Sequence, residues 1–130
     1  MSANNKYSGE ITITPPLTAY EIRHFTAHYD WSASFDAHLR VGEATEQTDD
    51  GEVVRRTAGA IVGPEESCSG YDVVEQIQTI VDLYPDRDYA GYIEMDPDPG
   101  YGDPIPTRYV VRDRRVVEVR PVFTWPEDAA

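Results

Sequence analysis

The residues that could carry chemistry are few and lie far apart in the chain. His24 and His28 stand four residues apart, a spacing that can chelate a transition metal when both lie on one helix. Two ligands do not complete a site, His38 falls in another element, and no glutamate follows His24 as in the helix motif of zinc proteases. We therefore predict surface or rim histidines, and no metal site.

An acidic loop offers a second cation-binding pattern. Asp96, Asp98 and Asp103 have roughly the spacing of a calcium loop. An EF-hand with Asp96 in its first position needs glycine in the sixth and glutamate in the twelfth, where this chain has Tyr101 and Thr107. A solvated acidic loop is the simpler interpretation, and weak cation binding is the alternative.

Cys68 is the only cysteine in the chain. It lies between Ser67 and Ser69 just before a predicted helix, whose N-terminus could favour the thiolate, although Glu65 and Glu66 oppose that charge. The chain has no glycine-rich phosphate loop and no nucleophile elbow. We predict that the protein is not an enzyme and needs no cofactor.

The second half of the chain combines tyrosines with carboxylates. Tyrosine is favoured at the energetic centres of interfaces, and carboxylates attract basic partners. We predict a partner-binding face made of Tyr89, Tyr92, Glu94, Asp96, Asp98, Tyr101 and Asp103. Solubility alone is the plainer explanation of an acidic surface.

Arginines are concentrated near the end of the chain. Guanidinium groups hold phosphate and carboxylate well, which makes Arg108, Arg112 and Arg115 a candidate anion site. The plainer alternative is that these arginines offset the acidic segment of the same molecule.

The charge of the chain limits its partners. The 130 residues carry a net charge of −13, and residues 64–105 hold eleven acidic residues against Arg87 alone. Such a field repels nucleic-acid backbones and anionic membranes, and attracts cations and basic proteins. We expect no direct binding to nucleic acid and no membrane association.

Length and composition predict one domain. Apolar residues make up 40% of the chain, enough for a core without disulfides. The lone cysteine fits a reducing compartment, and neither a secretory leader nor an 18-residue apolar run is found. We predict a cytoplasmic domain over residues 7–125, with flexible ends at 1–6 and 126–130.

The elements of the first half follow from alternation and capping. Polar and apolar residues alternate over residues 7–14, which predicts a strand that Pro15-Pro16 ends. Thr18 and Glu21 form a capping box, so a helix follows and runs to about Tyr29. A hairpin comes next. Its first strand begins at Leu39, an Asp-Asp-Gly turn follows, and the return strand runs to about residue 62.

The second half contains the most regular helix pattern. Apolar residues over residues 71–84 recur at helical spacing, Ser69 with Asp72 is a further capping box, and Pro85 marks the stop. A strand over residues 89–95 and a hairpin of residues 107–112 and 115–125 follow. The order β-α-β-β-α-β-β-β predicts an α+β fold with two helices on one face of an antiparallel sheet, a ferredoxin-like variant.

Four blocks carry a family resemblance. Residues 9–17, 71–82, 91–94 and 111–121 resemble blocks of a family of small uncharacterised proteins from actinobacteria, notably streptomycetes, and bacteriophages. The resemblance implies a bacterial or phage origin and transfers no functional residue. The family's last turn usually reads Asp-Gly; here it is Asp113-Arg114, and arginine in a left-handed position costs about 1 kcal/mol.

Taken together, these patterns predict a non-enzymatic accessory protein that binds a basic or nucleic-acid-binding protein, for example as a phage-type inhibitor or nucleic-acid mimic. The alternative is a small-molecule or nucleotide-binding protein that uses the arginine hairpin. An exposed sheet edge leaves a homodimer open.

Overall fold

Six strands and two helices make up the part of the chain that the computed structural model describes, namely residues 4–28, 37–68, 72–98, 100 and 105–122. The predicted α+β class is confirmed. In chain order the elements are β1 (Lys6–Leu17), α1 (Ala19–His28), β2 (His38–Thr48), β3 (Gly51–Val62), α2 (Val73–Leu83), β4 (Asp88–Asp96), β5 (Thr107–Arg112) and β6 (Arg115–Val119).

The six strands form one sheet in the order β2-β3-β1-β4-β5-β6. Every neighbouring pair is antiparallel. Strand β1 lies inside the sheet and contacts β3 on one side and β4 on the other. The middle of the sheet is therefore built from strands that are distant in the sequence.

The prediction that Pro15-Pro16 ends the first strand is wrong. Strand β1 runs to Leu17, with a register shift between Thr12, which pairs with Ala60, and Leu17, which pairs with Ala58. A proline cannot donate to a strand ladder, and an irregular stretch is where a sheet tolerates one. The two prolines occupy that irregular stretch.

The capping box that predicts α1 is confirmed. The Thr18 N–H donates to Glu21 Oε1 at 3.0 Å, and the Glu21 N–H donates to Thr18 Oγ1 at 3.3 Å. Helix α2 begins differently: Asp72 occupies its N-cap with φ of 65° and makes no side-chain cap hydrogen bond. Its predicted partner Ser69 lies outside the described residues. Neither described helix is long and apolar enough to cross a bilayer.

The core lies between the helices and one face of the sheet. Buried residues of both helices, such as Ile22 and Ile77, belong to the same cluster as Ile11, Ile61 and Ile93 of the strands. The Tyr84 hydroxyl, at the end of α2, donates to the Glu21 carbonyl in α1 at 3.2 Å. We call the face of the sheet that carries Ile11, Ile61 and Ile93 the inner face.

Two residues of the segment 1–6, Asn5 and Lys6, have backbone partners in the domain. Asn5 forms an isolated β-bridge with Cys68, and Lys6 already begins β1. The predicted extension of the last strand to Trp125 is wrong at its start, because β6 ends at Val119 and residues 120–122 belong to no strand. Residues 1–3 and 123–130, which include the predicted tail 126–130, lie outside the described residues.

Candidate protein-binding surface

Strand β4 carries most of the residues predicted to bind a partner, and its alternation sorts them onto two faces. Ile93 is 0% exposed and belongs to the core on the inner face. Tyr92 and Glu94, its neighbours in the strand, therefore lie on the opposite face, as does Asp96. We call this second side of the sheet the outer face.

A row of opposed residues crosses the outer face through Tyr92. Glu10 on β1 pairs with Tyr92, Tyr92 with Val110 on β5, and Val110 with Val117 on β6. The next row places Glu94 opposite Arg108, and Arg108 opposite Val119. We call the group formed by Tyr92, Arg108, Val110, Val117 and Val119 the Tyr92 surface.

Tyr92 is the most accessible apolar group of this surface. Its side chain is 39% exposed, whereas Val110, Val117 and Val119 are half-buried. The Arg108 guanidinium lies 4.2 Å from the centre of the Tyr92 ring, and its Nε donates to Glu94 Oε1 at 2.8 Å. The ring is thus held in place by a cation–π contact that is itself anchored by an ion pair.

Polar groups border the Tyr92 surface. Arg40 on β2 forms an ion pair with Glu10 on β1. At the other side, Arg108 pairs with Glu94, and both line a groove of about 230 Å³ together with Pro106 and Arg120. An apolar centre with a polar border is the usual composition of a protein interface.

Two glycines bring β1 and β4 together beneath this surface. Gly9 and Gly91 have φ of +80° and +88°, and each directly precedes a member of the Glu10–Tyr92 pair. A Cβ on Gly9 would lie 2.5 Å from the Tyr92 carbonyl oxygen, and one on Gly91 would lie 2.7 Å from the Glu10 carbonyl oxygen. Only glycine allows this close approach without strain.

Tyr89 is separated from the other predicted partner-binding residues. It packs against the core on the inner face, and its hydroxyl donates to the Tyr84 carbonyl at 2.8 Å. Burial raises the pKa of Tyr89 to about 12. The Tyr89 hydroxyl therefore links β4 to the end of α2, and the Tyr89 side chain does not lie beside Tyr92 on the outer face.

The remaining acidic residues of the predicted site lie at the end of β4. Asp98 accepts hydrogen bonds from the backbone N–H groups of Asn4 at 2.9 Å and Gly100 at 3.0 Å, which lower the pKa of its carboxyl group. Asp96 is exposed at the last position of the strand. Tyr101 and Asp103 lie outside the described residues. The structure thus brings Tyr92, Glu94 and Asp96 onto one face.

The three arginines of the predicted anion site fall into two settings. Arg108 is engaged by Glu94 and Tyr92. Arg112 and Arg115 lie directly opposite each other where β5 turns into β6, and both are exposed. Neither of them forms an ion pair with any residue that the structure describes.

The turn between Arg112 and Arg115 has a left-handed backbone. Asp113 has φ of 51° and Arg114 has φ of 64°. Gln78 on α2 holds this turn, because its Nε2 donates to the Arg114 carbonyl at 2.9 Å and its Oε1 accepts from the Val116 N–H at 2.8 Å. The hairpin end is therefore fixed against the helix layer.

The patterns considered for metal or thiol chemistry do not assemble in the described part of the chain. No group of three histidine, cysteine, aspartate or glutamate side chains there could hold a metal ion. The ring of His24 stacks on Tyr20, with 6.5 Å between the ring centres. Cys68 is half-buried, and its backbone exchanges hydrogen bonds with Asn5 at 2.8 and 3.0 Å.

The sequence contained a signal for the part of the surface that the prediction missed. Because the period of a strand is two residues, Arg108 and Val110 share one face of their predicted strand, and Val117 and Val119 share one face of theirs. The close approach of β1 to β4 at Gly9 and Gly91 had no such signal, because these strands are distant in the sequence.

The fold and this surface define a class: a small α+β protein with one sheet face covered by helices and an opposite face that offers an aromatic residue to solvent. The chain matches the family of unknown function DUF6205 over residues 1–130, and it belongs to that family. No curated protein and no solved structure matches the chain.

Proposed function

We propose that this chain is a non-enzymatic accessory protein that binds another protein on the Tyr92 surface. The observation that carries the proposal is the position of Tyr92, 39% exposed among half-buried valines on the face opposite both described helices. Aromatic residues surrounded by polar groups commonly dominate the energy of protein association. The ion pair of Arg108 with Glu94 keeps the ring oriented before a partner arrives.

The partner that fits best is a basic or nucleic-acid-binding protein. The net charge of −13 attracts positively charged surfaces, and Glu94 and Asp96 place carboxylates at one end of the Tyr92 surface. In its sharpest form the proposal is a phage-type inhibitor or nucleic-acid mimic that occupies the basic surface of a cellular protein.

A capture experiment with matched tyrosine variants tests this function. The tagged wild-type chain, Tyr92→Ala and Tyr20→Ala are incubated with bacterial lysate at low and high salt, and bound proteins are identified by mass spectrometry. Tyr20 is the control because it lies on α1 and is 72% exposed. We expect wild type and Tyr20→Ala to capture the same basic partner with equal affinity. Tyr92→Ala should bind this partner about 30-fold more weakly.

Comparing capture at low and high salt distinguishes electrostatic attraction to the partner from the burial of apolar groups on the Tyr92 surface. Capture that decreases at high salt supports the basic partner, because exposed charges are screened. A partner retained equally by Tyr92→Ala and wild type would contradict the location of the surface. An empty capture at both salt concentrations would contradict the binding function itself.

A second candidate function is anion binding at the β5–β6 hairpin, in a small-molecule or nucleotide-binding protein. Arg112 and Arg115 oppose each other without a carboxylate partner among the described residues, and like charges in directly opposed positions destabilise a sheet. A phosphate or carboxylate between the two guanidinium groups removes that repulsion. Arg108 lies further along β5 on the same face.

Thermal unfolding in the presence of anions tests the second candidate. Inorganic phosphate and a nucleoside triphosphate are added to wild type, Arg115→Gln and Arg23→Gln, whose arginine lies on α1. A ligand that binds the folded state raises the midpoint of unfolding. We expect Arg115→Gln to abolish the rise and Arg23→Gln to keep it; an equal rise in all three proteins would refute a site at the hairpin.

We also infer finer points of fold, origin and location. The strand order β2-β3-β1-β4 with antiparallel neighbours supports a ferredoxin-like variant, to which the β5–β6 hairpin adds two strands. The four sequence blocks that resemble actinobacterial and phage proteins support such an origin. A single cysteine supports a cytoplasmic location.

A further inference from the structure

The β2–β3 hairpin extends beyond the rest of the sheet. Strands β2 and β3 pair from His38 opposite Val62 to Thr48 opposite Gly51, whereas β1 contacts β3 only as far as Ala58. Residues 42–57 therefore form a two-stranded projection, which we call the arm. Every arm side chain is exposed except that of Thr57, which is half-buried. An isolated two-stranded hairpin is only marginally stable in water, so a partner along its edge would stabilise it.

Strand β2 is also the outermost of the described strands, and its outer edge is long. It has eleven residues, against five in β6 at the opposite edge. Proline and lysine, the residues that commonly protect exposed edges, are absent from β2. No described strand pairs with the outer edge of β2, so the backbone groups of residues 40–48 on that edge can pair with another strand.

We propose that two copies of this chain pair their β2 strands in antiparallel fashion about a two-fold axis at Glu43. An axis perpendicular to the sheet keeps the outer faces of both copies on the same side. In this register Arg40 lies opposite Glu46 of the second copy, twice by symmetry, and Val41 lies opposite Thr45 of the second copy. The two six-stranded sheets become one of twelve strands.

Charge complementarity selects this register. Moving the axis by one residue sets Arg40 opposite Ala44 or Thr48 of the second copy, and both charge pairs are lost. Within each chain Arg40 already pairs with Glu10, and Arg55 Nε lies 2.5 Å from Glu46 Oε2. The dimer joins these two pairs into a row of alternating charge on the outer face, which stabilises opposed strands.

The same register places the two Glu43 side chains together at the axis. Each carries its own counter-ion, because Arg56 Nη2 lies 2.9 Å from Glu43 Oε1 in the same arm. The net charge of −13 per chain opposes association at low ionic strength. At about 0.15 M salt the Debye length falls to about 8 Å, which screens distant charges more than opposed ones.

Charge reversal at the two opposed positions tests the register. We expect sedimentation equilibrium to show a dimer for wild type, and dissociation constants at least about tenfold higher for Arg40→Glu and for Glu46→Arg, because each variant opposes like charges twice. A 1:1 mixture of the two variants restores both pairs in a heterodimer, so association should return. Arg23→Glu and Glu75→Arg, with the same charge changes on the two helices, should associate like wild type.

A cross-linking experiment tests the axis independently of the charges. In a Cys68→Ser background, Glu43→Cys should form a disulfide with the second copy on mild oxidation, because opposed residues near the axis have Cα atoms about 4.5–5.5 Å apart. Asp50→Cys, at the tip of the arm, should stay unlinked. A wild-type chain that remains monomeric at high concentration, or variants that dimerise unchanged, would overturn the proposal. Tyr92 lies three strands away, so this result is independent of partner binding.

Discussion

Replacing Gly91 with alanine should destabilise this protein severely, although the added group is one methyl. Gly91 has φ of +88°, a conformation that L-residues with a side chain rarely adopt. The new Cβ would lie 2.7 Å from the Glu10 carbonyl oxygen. That oxygen belongs to the backbone of a paired strand, so it cannot move away as the end of a flexible side chain would.

The magnitude follows from these two contributions. A left-handed conformation costs a residue with a Cβ about 1–2 kcal/mol, and overpacking at a fixed position costs about 1–3 kcal/mol. We expect Gly91→Ala to lower the free energy of unfolding by about 3 kcal/mol. Gly9→Ala should cost at least as much, because its Cβ would lie 2.5 Å from the Tyr92 carbonyl oxygen. Either loss is a large share of the roughly 5–15 kcal/mol of a typical domain.

Urea denaturation followed by circular dichroism measures this change. The control is Gly42→Ala, because Gly42 has no heavy atom within 4 Å of the position of its Cβ and no positive φ. It should leave the stability unchanged or raise it by about 0.5 kcal/mol. A loss below about 1 kcal/mol in both Gly9→Ala and Gly91→Ala would refute the close approach of β1 and β4.

Three further predictions concern stability. Thr18→Ala removes one half of the capping box and should lower the free energy of unfolding by about 1 kcal/mol in urea denaturation; no change would contradict a role for the cap. Arg114→Gly relieves the left-handed φ of 64° and should raise stability by about 0.5–1 kcal/mol, and a decrease would mean that the side chain makes a compensating contact. Partial burial acts to raise the pKa of Glu21, but hydrogen bonds from Thr18 and Arg87 outweigh it, so the pKa lies below the usual 4.5. The ionised form therefore stabilises the folded state above about pH 4.5, and that stabilisation is lost as the pH falls through the lowered pKa. The difference in stability between wild type and Glu21→Gln should shrink from pH 7 to pH 3, and a constant difference would show that ionisation of Glu21 does not matter.

Local patterns were sufficient to predict most elements of the fold. The capping box at Thr18 and Glu21 depends on residues three apart, so its hydrogen bonds could be inferred from residue types alone. Helix α2 and the β5–β6 hairpin follow from apolar periodicity and turn position. The end of β1 could not be predicted locally, because pairing with Ala58 of β3 extends the strand beyond two prolines.

The partner-binding site was predictable only in part. Tyr89 and Tyr92 are three residues apart in one strand, and an odd spacing puts them on opposite faces. The sequence suggested a single tyrosine cluster, whereas the strand assignment separates Tyr89 from Tyr92. Counting acidic residues likewise gave no information on which of them share a face.

The sequence by itself determined the charge, the α+β class and the positions of most helices and strands, because these depend on composition and on contacts within a few residues. Only the tertiary structure decided which strands are neighbours, that Gly9 and Gly91 let β1 approach β4, and that Arg108 fixes Tyr92 on the outer face. The physical reason is sequence separation. These contacts join segments about 80 residues apart for β1 and β4, or 16 residues apart for Tyr92 and Arg108, and local periodicity carries no information on which distant edges will pair.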